Sequence, residues 1–343
     1  MSVKLRKLNE QVMVITGATS GIGLTTARMA ADQGAKLVLA ARAAEALDEL
    51  ASELRVRGVE VATVAADVGN PADVERIGQA AMERFGRIDT WVNNAGISVF
   101  GRLEDVAPED HHRLFQTNFW GVVNGSLEAV KRMKTRGGGA IINVGSEVSD
   151  RAIPLQGMYS ASKHAVKAFT DSLRMELEKE DAPLSVTLVK PTAIDTMFTV
   201  HARNYMEKEP RLPPPVYAPE IVANAILYAA QHPRRDVFVG GPAKMSAMGA
   251  YYTPRLLDRV NQRATYKNQQ SDEYSAANRT DALYEPDPGT ELRQRDESID
   301  KVVESCPYTA VSMRSKPILM SALIGGGALL AAWQYSRRRP MFR

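Results

Sequence analysis

Val12-Met13-Val14-Ile15-Thr16-Gly17-Ala18-Thr19-Ser20-Gly21-Ile22-Gly23 stands near the start of this 343-residue chain. Four apolar residues run into a glycine-rich turn, and helical periodicity follows from Gly23 to Gln33, closed by Gly34. The pattern predicts a buried strand, a tight turn and a helix. Glycines 17, 21 and 23 let the chain turn sharply and let a pyrophosphate approach the backbone. The helix start adds unpaired N–H groups and the positive end of its dipole. Gly17, Thr19, Ser20, Gly21, Ile22 and Gly23 are therefore read as a phosphate cradle. A glycine motif alone is weak evidence, and its strand–turn–helix context strengthens it.

The same alternation continues outward. Strands are expected at Lys36 to Ala41, Val59 to Ala65, Ile88 to Val92, Ala140 to Val144, Ser185 to Val189 and Asp236 to Val239. Helices are expected at 43–57, 71–85, 108–134, 158–179 and 219–232. Strands that alternate with helices predict a doubly wound, Rossmann-type α/β fold, a parallel sheet with helices on both faces. Residues 1–243 complete that domain. Beyond it, 244–316 is a polar extension or linker with a helix expected at 245–263, 317–335 is apolar, and 336–343 is a basic tail.

Composition narrows the function. The chain is 44% hydrophobic and 24% charged, with a net charge of +3, and no basic stripe is interleaved with aromatics. This is an ordinary globular balance that gives no support to nucleic-acid binding. The single cysteine, Cys306, has no disulfide or metal partner and suits a reducing, cytoplasmic compartment. Residues 1–11 are polar and lack an apolar core of signal-peptide length. The five histidines (111, 112, 164, 201 and 232) show no ligand spacing, so no metal is expected.

The end of the second strand carries Ala41-Arg42 where a carboxylate would hold a free ribose 2′-OH. Arginine suits a 2′-phosphate, which favours NADP(H), with NAD(H) as the alternative. Asp67 and Val68 follow the third strand, at the level of the adenine. Asn94-Ala95-Gly96 ends the fourth, where open parallel sheets bind ligands. Tyr159 and Lys163 lie four apart on one helix face, so the ammonium can favour the phenolate. A phenol tuned in this way suits general acid–base work near neutrality. Ser146 follows the fifth strand and can hydrogen-bond a substrate oxygen. Asn118 lies inside the helix before it.

On Thr16-Gly17-x-x-x-Gly21-x-Gly23, Asn93-Asn94-Ala95-Gly96, Asn118, Ser146, Tyr159-Ser-Ala-Ser-Lys163 and Pro191 through Thr196, the chain resembles the compact branch of the short-chain dehydrogenase/reductase superfamily. The resemblance covers residues 8–242. It implies that Tyr159 exchanges the proton with the substrate oxygen, that Lys163 lowers the phenol pKa and binds the nicotinamide ribose, and that Ser146 orients the substrate. It further implies that Asn118 holds a water linking Lys163 to solvent, that Asn94 and Gly96 support the cofactor, and that Pro191 and Thr196 flank the carboxamide. Thr192 stands where members usually have glycine. Self-association as dimers or tetramers, partly through the Tyr159 helix, is also implied.

The segment after the sixth strand offers Met197, Phe198, Val200, Tyr205 and Met206, which suit either a lipophilic substrate pocket or plain packing. A carbonyl reductase or alcohol dehydrogenase acting on a small molecule is the leading reading. A nucleotide-sugar epimerase or dehydratase and a non-catalytic scaffold that kept the fold are the alternatives. Residues 318–333 are sixteen uncharged residues followed by Arg337-Arg338-Arg339. As a helix they would span about 24 Å, just short of a bilayer's ~30 Å. A tail anchor, an interfacial helix or a helix buried between subunits all fit, and the trailing arginines run against positive-inside topology.

Overall fold

The computed structural model describes residues 3–296 and 298–314. Its centre is a seven-stranded sheet: β1 (Val12–Thr16), β2 (Lys36–Ala41), β3 (Val61–Ala65), β4 (Thr90–Asn93), β5 (Gly139–Val144), β6 (Leu184–Pro191) and β7 (Asp236–Val239). The spatial order is β7-β6-β5-β4-β1-β2-β3 and every pairing is parallel. The order reverses at β1 and β4, and that switch point is where a ligand crevice opens in such sheets.

Side-chain alternation explains the two layers. In β1, Met13 and Ile15 join one core with Leu24 and Leu37, while Val12 and Val14 join the other with Trp91 and Ile141. Successive strand residues point to opposite faces, so each apolar run needs helices on both sides. The helices are α1 (Gly21–Asp32), α2 (Ala44–Val56), α3 (Pro71–Phe85), α4 (Pro108–Phe115), α5 (Gly121–Met133), α6 (Gly157–Lys179) and α7 (Pro219–Ala229). Local chemistry sets their ends. Asn70 caps α3 through the Ala72 N–H, Pro71 takes the first turn, and Gly86 ends it at φ 72°.

The helix expected over 108–134 is one rod with an interruption. Residues Gln116–Trp120 between α4 and α5 are π-helical. The extra residue in that turn leaves the apolar periodicity on either side intact, which is why the sequence reads as continuous.

The described residues of 244–314 also carry regular elements, unlike a plain polar linker. Helices α8 (Gly241–Tyr252) and α9 (Pro254–Val260) replace the single expected helix, and α10 (Pro307–Arg314) comes near the end of the described residues. Between α9 and α10 the chain returns to the domain. Gln270–Tyr274 pairs antiparallel with Lys208–Pro210, and Val302–Val303 pairs parallel with Val216–Tyr217. Ion pairs Arg279–Glu209, Arg203–Asp281 and Arg295–Glu220 hold it. Backbone pairing and salt bridges leave no amphipathic signature, so the return is silent in the hydrophobic pattern. Among the described residues no helix is long and apolar enough to cross a membrane, and the 317–335 run lies outside them.

Candidate functional site

The β1–α1 turn forms the lip of a cleft at the carboxyl edge of the sheet. A side chain at Gly23 would put its Cβ 1.9 Å from the Gly17 carbonyl oxygen, and one at Gly17 (φ 64°) would meet Ala95 Cα at 2.8 Å. Both positions therefore need glycine. Asn94 holds this turn, its Nδ2 donating to the Thr16 and Gly17 carbonyls at 3.0 and 3.1 Å. Thr196 faces Gly21 across the cleft.

Deeper in the cleft the expected residues converge. Gly17, Ser20, Gly21, Ile22, Asn94, Ala95, Gly96, Ser146, Tyr159, Lys163, Pro191, Thr192 and Thr196 all line one cavity. Ser146 follows β5 and caps a short 3₁₀ turn, accepting the Val148 N–H at 3.3 Å. Its hydroxyl hydrogen-bonds Tyr159, and burial pushes the phenol up to about 12. Lys163 Nζ donates to the Val144 carbonyl at 2.9 Å and sits 5.7 Å from the Tyr159 ring centre, and burial brings the ammonium down to about 8. Desolvation here opposes the charged form of both groups. Lys163 does not set the phenol pKa here, where burial dominates and the Ser146 hydrogen bond opposes it.

Asn118 does not line the cavity. The π-helical turn directs its side chain onto the Ile97 backbone, accepting the N–H at 2.8 Å and donating to the carbonyl at 2.9 Å. It also donates to Ser162 Oγ at 3.3 Å, and Gly96 lies close to both Asn118 Oδ1 and Lys163 Nζ. Thr192 donates its N–H to the Val239 carbonyl at 3.1 Å, and its methyl fills the space a Cβ on Gly240 would need.

The adenosine end departs from expectation. Arg42 directs its guanidinium at carbonyls of the returning chain, to Ala282 at 2.5 Å, Tyr284 at 2.7 Å and Leu283 at 3.3 Å. Asp67 pairs with Arg113 at 2.7 Å, and Val68 packs on α5 at Gly121. Arg42, Asp67, Val68, Thr19 and Gly23 are not among the residues lining the cavity. The nicotinamide and pyrophosphate side of the cleft thus fits a dinucleotide cofactor, while the adenosine side is covered.

Several lining residues carried no signal of their own in the sequence. Ile153, Gln156, Leu212, Pro213 and His201 complete the cavity with Met197 and Phe198. Phe198 meets the Tyr159 ring edge-on at 5.4 Å. Burial brings His201 down to about 4, so it is neutral at physiological pH. Among the described residues no acidic, histidine and cysteine cluster could hold a metal ion.

Comparison with known proteins agrees with this geometry. Residues 11–207 match the family model described as short chain dehydrogenase. The chain is 47% identical over 338 residues to the uncharacterized oxidoreductase YxnA of Bacillus subtilis, spanning 98% of this chain and 93% of that one. A short-chain dehydrogenase/reductase from Burkholderia phymatum, solved in complex with NAD, superposes with a TM-score of 0.65 at 26% identity, over 78% of this chain and 98% of that one. L-Sorbose reductase from Gluconobacter frateurii, solved with NADPH and L-sorbose, gives 0.60 at 27% identity, over 70% and 98%.

Proposed function

This chain belongs to the short-chain dehydrogenase/reductase family of NAD(P)-dependent oxidoreductases, and from that premise we propose that it reduces a lipophilic aldehyde or ketone to the alcohol with NADP(H). One observation carries the reading. The Tyr159 hydroxyl, bonded to Ser146 and near Lys163, shares a cavity with the glycine cradle. The apolar walls, Val148, Ile153, Met197, Phe198 and Leu212, support a lipophilic substrate.

Gly17, Gly21, Asn94, Pro191 and Thr196 would hold a nicotinamide dinucleotide, which would supply the hydride in reduction and accept it in the reverse direction. Ser146 holds the substrate oxygen by hydrogen bonding as negative charge develops there. Tyr159 Oη delivers the proton to that oxygen. Burial keeps the phenol protonated well above neutral pH, the form that reduction needs. Lys163, when protonated, stabilises the phenolate left behind until a proton returns from solvent. Asn118 is a positioning residue that ties Ile97 to Ser162, the neighbour of Lys163 on α6. Arg42 supports the preference for NADP(H), because a guanidinium with no carboxylate in its place suits a 2′-phosphate.

Tyr159→Phe tests the proton step. Turnover of a ketone and aldehyde panel should fall by about 10²–10⁴-fold, with NADPH affinity unchanged. Wild-type turnover in the variant would remove Tyr159 from the mechanism.

A further inference from the structure

We propose that residues 282–293 of the C-terminal extension are an intramolecular occupant of the adenosine half of the cleft, and that NADP(H) enters when this strap lifts. The inference rests on the reading above that the cleft takes a nicotinamide dinucleotide. The strap uses the groups which that reading assigns to the cofactor. The Gly21 N–H, at the start of α1 where phosphate is favoured, donates to the Arg293 carbonyl at 2.9 Å. One residue earlier, the Leu292 N–H donates to the Thr19 carbonyl at 2.7 Å. Arg42 gives its guanidinium to the carbonyls of Ala282, Leu283 and Tyr284, and Arg113 Nε reaches Leu283 O at 3.0 Å.

A carboxylate completes the resemblance to a ligand. Glu291 hydrogen-bonds the Thr19 side chain, lies within the field of Arg42, and keeps one buried carboxylate oxygen, Oε2, without a hydrogen-bond partner. It brings negative charge to the guanidinium proposed to select the 2′-phosphate. Two anions cannot share one arginine cheaply, so the strap opposes NADP(H) more than NAD(H). Its hold is mostly polar. Leu283 is the fully buried anchor, and Thr290 meets His201 Nε2 at 2.7 Å, while Tyr284, Glu285, Pro288 and Gly289 are exposed. Beyond Leu283 and Leu292, which meet the core, the hold is hydrogen bonds and charge, the Tyr284 hydroxyl donating to Asp110 at 2.8 Å among them, and polar contacts of this kind favour a segment that opens locally without global unfolding.

Full-length protein with NADPH, followed by hydrogen exchange and by nucleotide fluorescence, tests this. Saturating NADPH should raise exchange across 282–293 while lowering it across 17–23. Glu291→Gln, which keeps the shape and removes the charge, should tighten NADPH binding about five-fold and NADH binding less. Leu283→Asp, which frees the anchor, should tighten both. Exchange across 282–293 that falls or stays level on saturation would overturn the strap, as would a Glu291→Gln variant binding NADPH no more tightly than wild type. Nucleotide binding by the variants alone would support it. No binding by any of the three proteins would sink the proposed function and this inference together.

Discussion

Lys163 sits where an ammonium is costly. Its pKa falls from 10.5 to about 8, a difference of about 3 kcal/mol between folded and unfolded chain. Between those two pH values the unfolded chain holds more protons than the folded one, so stability rises with pH through the window. The penalty is complete below about 8 and relieved toward 10.5. Lys163→Met should therefore raise the urea midpoint at pH 7, net of about 1 kcal/mol lost with the hydrogen bond to Val144 O, and the gain should shrink by pH 9.5. An equal gain at both pH values would contradict a buried charge. Tyr159 does not confuse the test, since its excess protons appear between 10 and about 12, where they lower stability as pH rises. Tyr159, Lys163 and Ser146 were legible because helix spacing and strand order fix where they fall. Glu291 was not, because it reaches Thr19 only through a chain reversal that no local pattern announces.

At the scale of elements, the π-helical turn between α4 and α5 does what neither helix could do alone. It turns Asn118 onto both backbone groups of Ile97 in a site with no exposure. Asn118→Leu would leave a buried N–H and a buried carbonyl without that partner, at a cost of about 3 kcal/mol in unfolding free energy. A urea midpoint equal to wild type would show that another group satisfies Ile97. The seven strands of the central sheet were read to within two residues because each is a short apolar run, while the short polar strands such as Lys208–Pro210 and Gln270–Tyr274 were missed because they carry no such run. The π-turn was hidden because one extra residue in twenty-six shifts helical periodicity too little to notice. Thr192, at the end of β6, was flagged as a departure, and Gly240 supplies the room its methyl takes.

Across the whole molecule, the doubly wound parallel sheet followed from the alternation of strands and helices, and the return of residues 264–314 did not. Outward-facing apolar side chains remain on neighbouring helices. Trp120, Leu127 and Met175 are 49%, 51% and 58% exposed. Such a surface on α5 and α6 suits a two-fold pairing of identical chains. A two-fold pair built on that surface would lose half its mass in light scattering when Leu127→Glu is combined with Met175→Glu, and an unchanged mass would place any association elsewhere. The strap, finally, is covalently attached. A tethered competitor cannot be washed away by dilution, so its local concentration is a constant of the fold and only the nucleotide level moves the balance. Its mostly polar hold also makes it the part that mild urea would loosen before the sheet. A low dose of denaturant should then waken this protein before a higher one ruins it.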